Sequence, residues 1–467
     1  MLLRFSEEMK MLSFKIYSNE LEDRLLVPFY HVLKITKKYP LTIEKVAKLI
    51  TNGMDLRSYK EEGIPYLRGT DIKRCQVNML TPKKVNFSVK DIPEKIKLNS
   101  GDILITRKGT VGITSIVSDD CKEVIIGTEV IKVRLKENAE ISPEYFYTLL
   151  NSKIGILQIN SKLTGTVSRG INHPSLKNIK IPTLSKENHK QIDLWIKEAK
   201  KKHHLSFSLI EKAKELLLSL FQKYDPREEQ FYKVYSNDIN IDFFTPQFYY
   251  PLYNKTIERM RKDFKIIKLG TISDIKRGNE VGSDNYRTYI DKVDSDIRFI
   301  RTSDLPNYEI DDYPDYYVDI SIQDGLKQDL KVNDIIFSND GKIGFSALYT
   351  TADNCITQSH IRRIRMLNTL SPEYVLIFLN TKYGQFQIKK RTVVQATIPT
   401  IGNGLKEIEI PKISEKVEKE IISMVQEAYK LKAEKKLLIR KAKSLIENVL
   451  LNEQNGNTKK KRQIYQA

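Results

Sequence analysis

Cysteine is scarce. There are three in 467 residues, Cys75, Cys121 and Cys355, far apart and without a CxxC pair. That excludes a disulfide framework and a cysteine zinc site, and it fits a reducing, cytoplasmic setting. Long apolar runs are missing too: none approaches the roughly 20 residues a membrane-spanning helix needs. The opening MLLRFSEEMK carries acids and has no continuous apolar core, so no signal peptide is expected. A GxxxxGK(S/T) phosphate loop is absent, so no ATPase motor is expected in this chain. Acidic residues are outnumbered, 59 against 78 Lys and Arg, leaving a formal net charge of +19. Such a balance favours a polyanionic partner, nucleic acid before membrane.

What the chain does have is an internal repeat, which takes precedence over other signals. GDILITRKGTVG (101–112) returns as NDIIFSNDGKIG (333–344), 232 positions later. IPYLRGTDI (64–72) matches IRFIRTSDL (297–305), aligning Arg68 with Arg301 and Asp71 with Asp304. TEVIKVRL (128–135) matches SHIRRIRM (359–366), and ISPEYFYTLLNSKIG (141–155) matches LSPEYVLIFLNTKYG (370–384). LKNIKIP (176–182) pairs with LKEIEIP (405–411), and EKAKELLLSLF (211–221) with RKAKSLIENVL (440–450). The order is colinear, so the chain is a duplicated unit of about 230 residues.

Within each unit the period changes from two to helical. DILIT, GITSIV, EVIIG and EVIKVRL are short β-branched runs bounded by Gly, Asn and Asp, and read as strands. SPEYFYTLLNSKIGILQI opens with a Ser142 cap and Pro143 in the first turn, predicting one helix. After Pro182 and Pro411 come long segments that predict helices over 185–222 and 414–452. Heptads written from Ile192 place Ile192, Ala199, Ser206, Ala213 and Leu220 at one seam position, with Trp195, Lys202, Leu209 and Leu216 at the other. The second copy gives Ile421, Ala428, Lys435, Ala442 and Val449 with Met424, Leu431, Leu438 and Leu445. This is coiled-coil spacing, with Ala allowing close backbone approach. Ile196, Ile210, Leu217, Val425, Ile439 and Ile446 flank the seam, and either complete it or form a docking surface. Each helix would be about 55 Å long, a spacer longer than a small domain is wide.

This succession of blocks resembles the specificity (S) subunit of type I restriction-modification systems, over residues 41–452. The resemblance rests on the two GDILIT/NDIIFS blocks, the two SPEY helices and the two prolines followed by long helices with KAK. It implies an α+β architecture: two duplicated mixed α/β target recognition domains joined by two long helices in an antiparallel coiled coil, with pseudo-twofold symmetry. The expected divisions are a first recognition domain 1–184 with an N-terminal segment 1–40, a central spacer helix 185–223, a second recognition domain 224–413, a C-terminal spacer helix 414–452 and a basic, unstructured tail 453–467. It also implies that each domain reads half of a split double-stranded DNA target. Two methyltransferase subunits would dock on the chain and two motor-nuclease subunits would complete the complex. S-adenosylmethionine, ATP and Mg²⁺ would act in those partners, with no cofactor or metal in this chain, itself non-catalytic.

The tip of the repeated block changes from Arg107-Lys108 to Asn339-Asp340 while its frame stays. Bases are distinguished by such side chains: Arg pairs with guanine, Asn with adenine, and Asp accepts from cytosine N4. Either the tips read bases, or they are solvent-exposed turns free to drift. Candidate DNA contacts are Arg107, Lys108 and Thr110 in the first unit and Asn339, Asp340 and Lys342 in the second. Lys162 and Arg169 around TGTVSRG, with Arg391 and Gln395 in RTVVQATIP, lie in segments that are DNA-facing loops or ordinary turns. Arg68 and Arg301 recur in both units and so suit the phosphate backbone or the fold rather than sequence choice.

Two other functions have some support. A stand-alone Mg²⁺-dependent DNA endonuclease is suggested by Pro314-Asp315 followed by Asp329-Leu330-Lys331, since paired carboxylates and a lysine hold metal in nucleases. The repeat, however, lays these residues over the turn before GDILIT. A coiled-coil scaffold that binds no DNA is the other.

Overall fold

Short β-branched runs become strands, and they do so twice in the same order. The computed structural model describes residue 30 and residues 36–464, apart from 61, 81, 122, 165–169, 222–230, 240–243, 290, 294, 327, 368 and 396; for 120, 395 and 451–464 it describes the backbone alone. Most of the expected N-terminal segment 1–40 therefore lies outside the described residues. The chain divides into two compact units, residues 1–202 with 434–467, and residues 203–433.

In the first unit the strands of the two larger sheets are β1 (Ala47–Asn52), β2 (Tyr59–Lys60), β3 (Ile64–Leu67), β4 (Lys83–Val85), β5 (Ile103–Thr106), β6 (Thr114–Ile116), β7 (Ile125–Ile126) and β8 (Val130–Leu135). They form two four-stranded sheets, ordered β1-β8-β5-β6 and β2-β4-β3-β7. β3 and β7 run parallel, with Tyr66 opposite Ile125 and Leu67 opposite Ile126. Burial follows the two-residue period. Ile103, Ile105, Ile131 and Val133 enter a core with the helices, whereas Leu104 and Val130 join Leu67 and Ile126 in a second core. The sheet carrying DILIT is thus covered on both faces, which is why that block is apolar throughout.

The second unit repeats this with β9 (Ser273–Arg277), β10 (Arg287–Thr288), β11 (Asp296–Ile300), β12 (Tyr316–Asp319), β13 (Ile335–Ser338), β14 (Ser346–Leu348), β15 (Cys355–Thr357) and β16 (Ile361–Met366). The orders are β9-β16-β13-β14 and β10-β12-β11-β15, strand for strand those of the first unit. β11 and β15 are again the parallel pair. Arg134 grips the buried carboxylate of Asp102 at 2.7 Å through two nitrogens, and Arg365 grips Asp334 at 2.8 Å in the same way.

The SPEY block, expected as one helix, is two. In the first unit these are α1 (Pro143–Asn151) and α2 (Lys153–Ser161). Ser142 Oγ caps α1 by accepting from the Tyr145 amide at 3.0 Å, and Ser152 Oγ caps α2 by accepting from the Gly155 amide at 3.3 Å. A second cap residue starts a second helix, and the chain turns a corner. Gly155 permits the corner: a Cβ there would lie 2.1 Å from the Leu149 carbonyl oxygen. From its core-facing side α1 reaches forward, with the Tyr145 hydroxyl donating to the Pro182 carbonyl at 2.5 Å.

The first long helix follows, α3 (Lys186–Ser219). The counterparts of the pair in the second unit are α4 (Pro372–Leu379) and α5 (Lys382–Arg391), with Thr381 as the second cap and Tyr374 donating to the Pro411 carbonyl at 2.6 Å. A hairpin of β17 (Val393–Gln395) and β18 (Ile398–Thr400) comes next, and the chain ends in α6 (Glu415–Ile464). α6 thus continues through 453–464, where an unstructured tail was expected. The segment has no proline to stop a helix that adds one hydrogen bond per residue, and its run of Lys, Arg and Gln are good helix formers.

The boundary between compact units falls inside both long helices. In the first unit, Ile192, Ile196 and Ala199 of α3 share one core with Ile439, Ala442, Ile446 and Leu450 of α6. Lys202 meets Glu434 at 2.6 Å. From that contact α3 reaches the core by descending numbers and α6 by ascending ones, so these two segments run antiparallel. In the second unit the equivalent residues, Ile421, Val425 and Ala428 with Ile210, Ala213, Leu217 and Phe221, are likewise buried. The stripe keeps the seven-residue period, but its second position lies one residue beyond the heptad written from sequence. Leu209, Leu216, Leu220, Leu438, Leu445 and Val449 are half-buried, while the flanking Ile196, Ile210, Leu217, Val425, Ile439 and Ile446 are inside. A helix that packs on a domain as well as on another helix buries a broader face than the narrow seam of a free coiled coil.

In the second unit both long helices also clamp one turn. Asn307 and Tyr308 have positive φ, 49° and 59°. Their carbonyls accept from Lys432 Nζ and the Tyr429 hydroxyl, each at 2.6 Å, and the Tyr308 hydroxyl donates to Glu211 at 2.8 Å. Burial, with the Glu211 carboxylate beside it, pushes the Tyr308 phenol well above its ordinary pKa.

Candidate nucleic-acid interface

The turn from β5 to β6 carries the cationic tip. Thr106 makes it tight: its Oγ1 donates to the Thr110 carbonyl at 2.6 Å and accepts from the Ile113 amide at 2.9 Å. Gly109, at φ 74°, has open space around it, which lets the backbone turn over outside the sheet. Lys108 and Thr110 are exposed and Arg107 is half-buried.

Two other segments join this tip. The Arg107 amide donates to the Glu129 carbonyl at 2.7 Å, tying the tip to the β7–β8 turn. On the other side the Ile171 amide donates to the Arg107 carbonyl at 3.2 Å, and Lys108 bridges to Gly170. The two ends of TGTVSRG, a segment singled out on its own from sequence, therefore lie beside the tip, with Thr164 and Gly170 exchanging hydrogen bonds of 2.9 Å. Arg169 lies outside the described residues. Lys162 is half-buried at the end of α2. His173 Nε2 lies 2.8 Å from Asn52 Oδ1 close by. Burial, then Arg107 and Lys177, hold its pKa below the ordinary value.

The second unit builds the same junction. The Asn339 amide donates to the His360 carbonyl at 2.9 Å, the Ile401 amide to the Asn339 carbonyl at 3.2 Å, and the Gly341 amide to the Pro399 carbonyl at 2.8 Å. RTVVQATIP is the β17–β18 hairpin that closes beside this tip.

The side chains behave differently. Asn339 and Asp340 are buried, not displayed. Asp340 Oδ1 accepts from Asn339 at 2.6 Å and from the Thr400 hydroxyl at 2.5 Å, and Oδ2 lies 2.8 Å from His360 Nδ1. Burial pushes the Asp340 carboxyl up, but the hydrogen bonds from Thr400, His360 and Asn339 outweigh it and hold its pKa below the usual range. The sequence expectation of Asn339 and Asp340 as an exposed reading tip is therefore corrected: the Asn339 Nδ2 group and the Asp340 carboxylate are turned inward, onto each other, His360 and Thr400 of the hairpin. Lys342, two residues on, is half-buried.

Three further candidates are tied into the fold. Arg68 Nε folds back on the buried Asp71 carboxylate at 3.1 Å. Arg301 lies over the Tyr316 ring, 4.9 Å from its centroid, while Asp304 accepts from its amide at 2.9 Å. Arg391, expected on a DNA-facing loop or an ordinary turn, is 7% exposed, with Nη1 donating to the Gln387 carbonyl at 3.3 Å and Nη2 3.9 Å from Glu409. It sits at the last turn of α5, where the helix packs inward. Gln395 is placed by its backbone in β17.

Sequence reasoning missed the turns opposite the tips. Around His360, Arg277 Nε and Arg362 Nη1 both donate to the Ser359 carbonyl, at 3.0 and 2.9 Å, and the Ser359 hydroxyl bonds Glu280. The signal was available: aligning TEVIKVRL with SHIRRIRM sets Glu129 over His360, a change of charge at one position of the repeat.

The nuclease-like residues have a structural use. Asp329 Oδ2 accepts from Arg365 at 2.7 Å and its carbonyl from the same guanidinium at 2.6 Å. Among the described residues no group of three or more His, Cys, Asp or Glu is placed to hold a metal ion. Among them, too, no helix is long and apolar enough to cross a membrane.

Residues 40–196 match the family model of the type I restriction modification DNA specificity domain. Among solved structures, the chain is similar to a type I restriction-modification system S subunit from M. genitalium, at 16% identity and a TM-score of 0.35, covering 89% of this chain and 97% of that one. It is also similar to the HsdS subunit from Thermoanaerobacter tengcongensis, at 13% identity and a TM-score of 0.28, covering 88% and 95%. No curated protein gives a significant match.

Proposed function

We infer, from residues 40–196 belonging to the type I restriction modification DNA specificity domain family, that this chain is the DNA sequence-recognition subunit of a type I restriction-modification complex. One observation carries the extension to the whole chain: the second unit repeats both sheets of the first strand for strand. If one unit reads DNA, its duplicate is built to read DNA as well.

Each unit then takes one half of a split target, and the long helices set the distance between halves, as half-site spacing mirrors geometry in other two-headed readers. The methyltransferase and motor-nuclease subunits dock on this chain and carry out the bond making; they supply S-adenosylmethionine, ATP and Mg²⁺ chemistry. The excess of basic residues supports a duplex partner, and the junction of tip, β7–β8 turn and downstream loop supports a reading surface in each unit.

Two measurements test this. Duplex affinity of the intact chain should fall steeply as salt rises, because each neutralised phosphate releases counterions. Mapping methylated adenines in the host genome, with and without this gene, should reveal a two-part motif with a fixed gap that depends on the gene. A gene-independent pattern, or a motif in one piece, would overturn the reading.

A further inference from the structure

Glu129 and His360 occupy one position of the duplicated unit. Each lies in the turn that leaves the parallel strand pair, Gly127-Thr128-Glu129 after β7 and Gln358-Ser359-His360 after β15. Each gives its backbone carbonyl to the first residue of the neighbouring tip, Arg107 at 2.7 Å and Asn339 at 2.9 Å. The two positions are thus joined through the backbone in both units.

Their chemistry is inverted between units. In the first unit the residue joined through the backbone to the cationic Arg107-Lys108 tip is Glu129, with a carboxylate. The second sets an imidazole, His360, beside Asn339-Asp340. Drift of unrelated turns gives no reason for both members of a joined pair to change character together. The frame that surrounds them is unchanged.

We propose that Glu129 and His360 are the specificity-determining side chains of the two units, a reading that rests on the DNA-recognition function above. Glu129 is exposed, and a carboxylate is an acceptor only, suited to an exocyclic amine such as cytosine N4. His360 is 35% exposed and is oriented by Asp340, which takes Nδ1 at 2.8 Å. Asp340 is itself held by Thr400 and Asn339. Nε2 is then the ring's remaining polar atom, and it meets a base edge differently from a carboxylate. Asp340 acts as a positioning residue, which explains why the second tip is buried: it fixes the reader rather than reading.

The test uses the intact chain and a pool of randomised DNA duplexes, with sequencing of the bound fraction. Wild type should enrich two separated blocks. E129Q should shift preference at one or two base pairs of one block only, by roughly 5- to 100-fold, the discrimination of one good base contact. H360N places an amide where Nδ1 was, keeping the bond to Asp340 while removing Nε2. It should shift the other block only. If both variants enrich the wild-type blocks unchanged, this assignment is overturned while the DNA-reading function stands. If wild type enriches no block, the function itself fails.

Discussion

Lys202 Nζ lies 2.6 Å from Oε2 of Glu434, where α3 and α6 meet within the first unit. The pair is partly open to solvent, with 19% and 40% of the side chains exposed. Such ion pairs contribute little, because solvent screens them and two long side chains lose freedom. K202A should lower stability by less than about 1 kcal/mol, whereas I446A, which opens a hole in the shared core, should cost about 2–5 kcal/mol. Urea unfolding of both variants checks the ranking; equal losses would mean the helices are held by charge rather than by burial.

The line of buried residues along α3 makes a sharper prediction. Ile210 is fully buried and its neighbour Leu209 is half-buried. I210A should cost about 2–4 kcal/mol and L209A roughly half of that or less. The heptad written from sequence demands the opposite order, so the pair of denaturation midpoints decides between the two stripes.

Much of the fold was legible because duplication checks itself. DILIT and NDIIFS could each be a strand or a buried helical turn, but two copies at one place in a repeat, followed by capped helices, leave one reading. Less was legible where a side chain's direction decides. Asn339-Asp340 reads as an exposed polar turn, yet His360, twenty residues on, and Thr400, sixty on, draw it inward. The corner at Ser152 was hidden for a different reason: serine is a neutral presence in a helical pattern until Gly155 and the Leu149 carbonyl show that the chain must turn there. Helix periodicity gave the seven-residue repeat but not which flank faced inward, because that depends on the domain against which the helix packs.

Lys132 carries a pH prediction. It is fully buried in β8, with Nζ donating to the Lys97 carbonyl at 2.8 Å and lying 3.8 Å from the Asp102 carboxylate. Burial pulls its pKa down to about 8, Asp102 opposing. The unfolded chain keeps an ordinary lysine, near 10.4. Between about pH 8 and 10 the unfolded state therefore binds more protons, and stability should rise with pH through that window. Below it both states are charged and the cost of burying the cation is constant. K132M should remove the rise, read as a flatter dependence of the urea midpoint from pH 7.5 to 10.

Arg107 and Lys108 separate contact with phosphate from contact with bases. Lys108 is exposed on a glycine turn, next to Gly170. A long, mobile ammonium there reaches a phosphate without regard to sequence. K108A should weaken binding to every duplex by a similar factor and reduce the slope of log affinity against log salt by about 0.9. D340N, by contrast, should leave that slope nearly unchanged, since its carboxylate faces Thr400 and His360 inside the fold. Titrations of the intact chain on one duplex at several salt concentrations measure both slopes. A K108A slope equal to wild type would remove the first tip from the phosphate contacts and leave the β7–β8 turn as the remaining route to DNA in that unit.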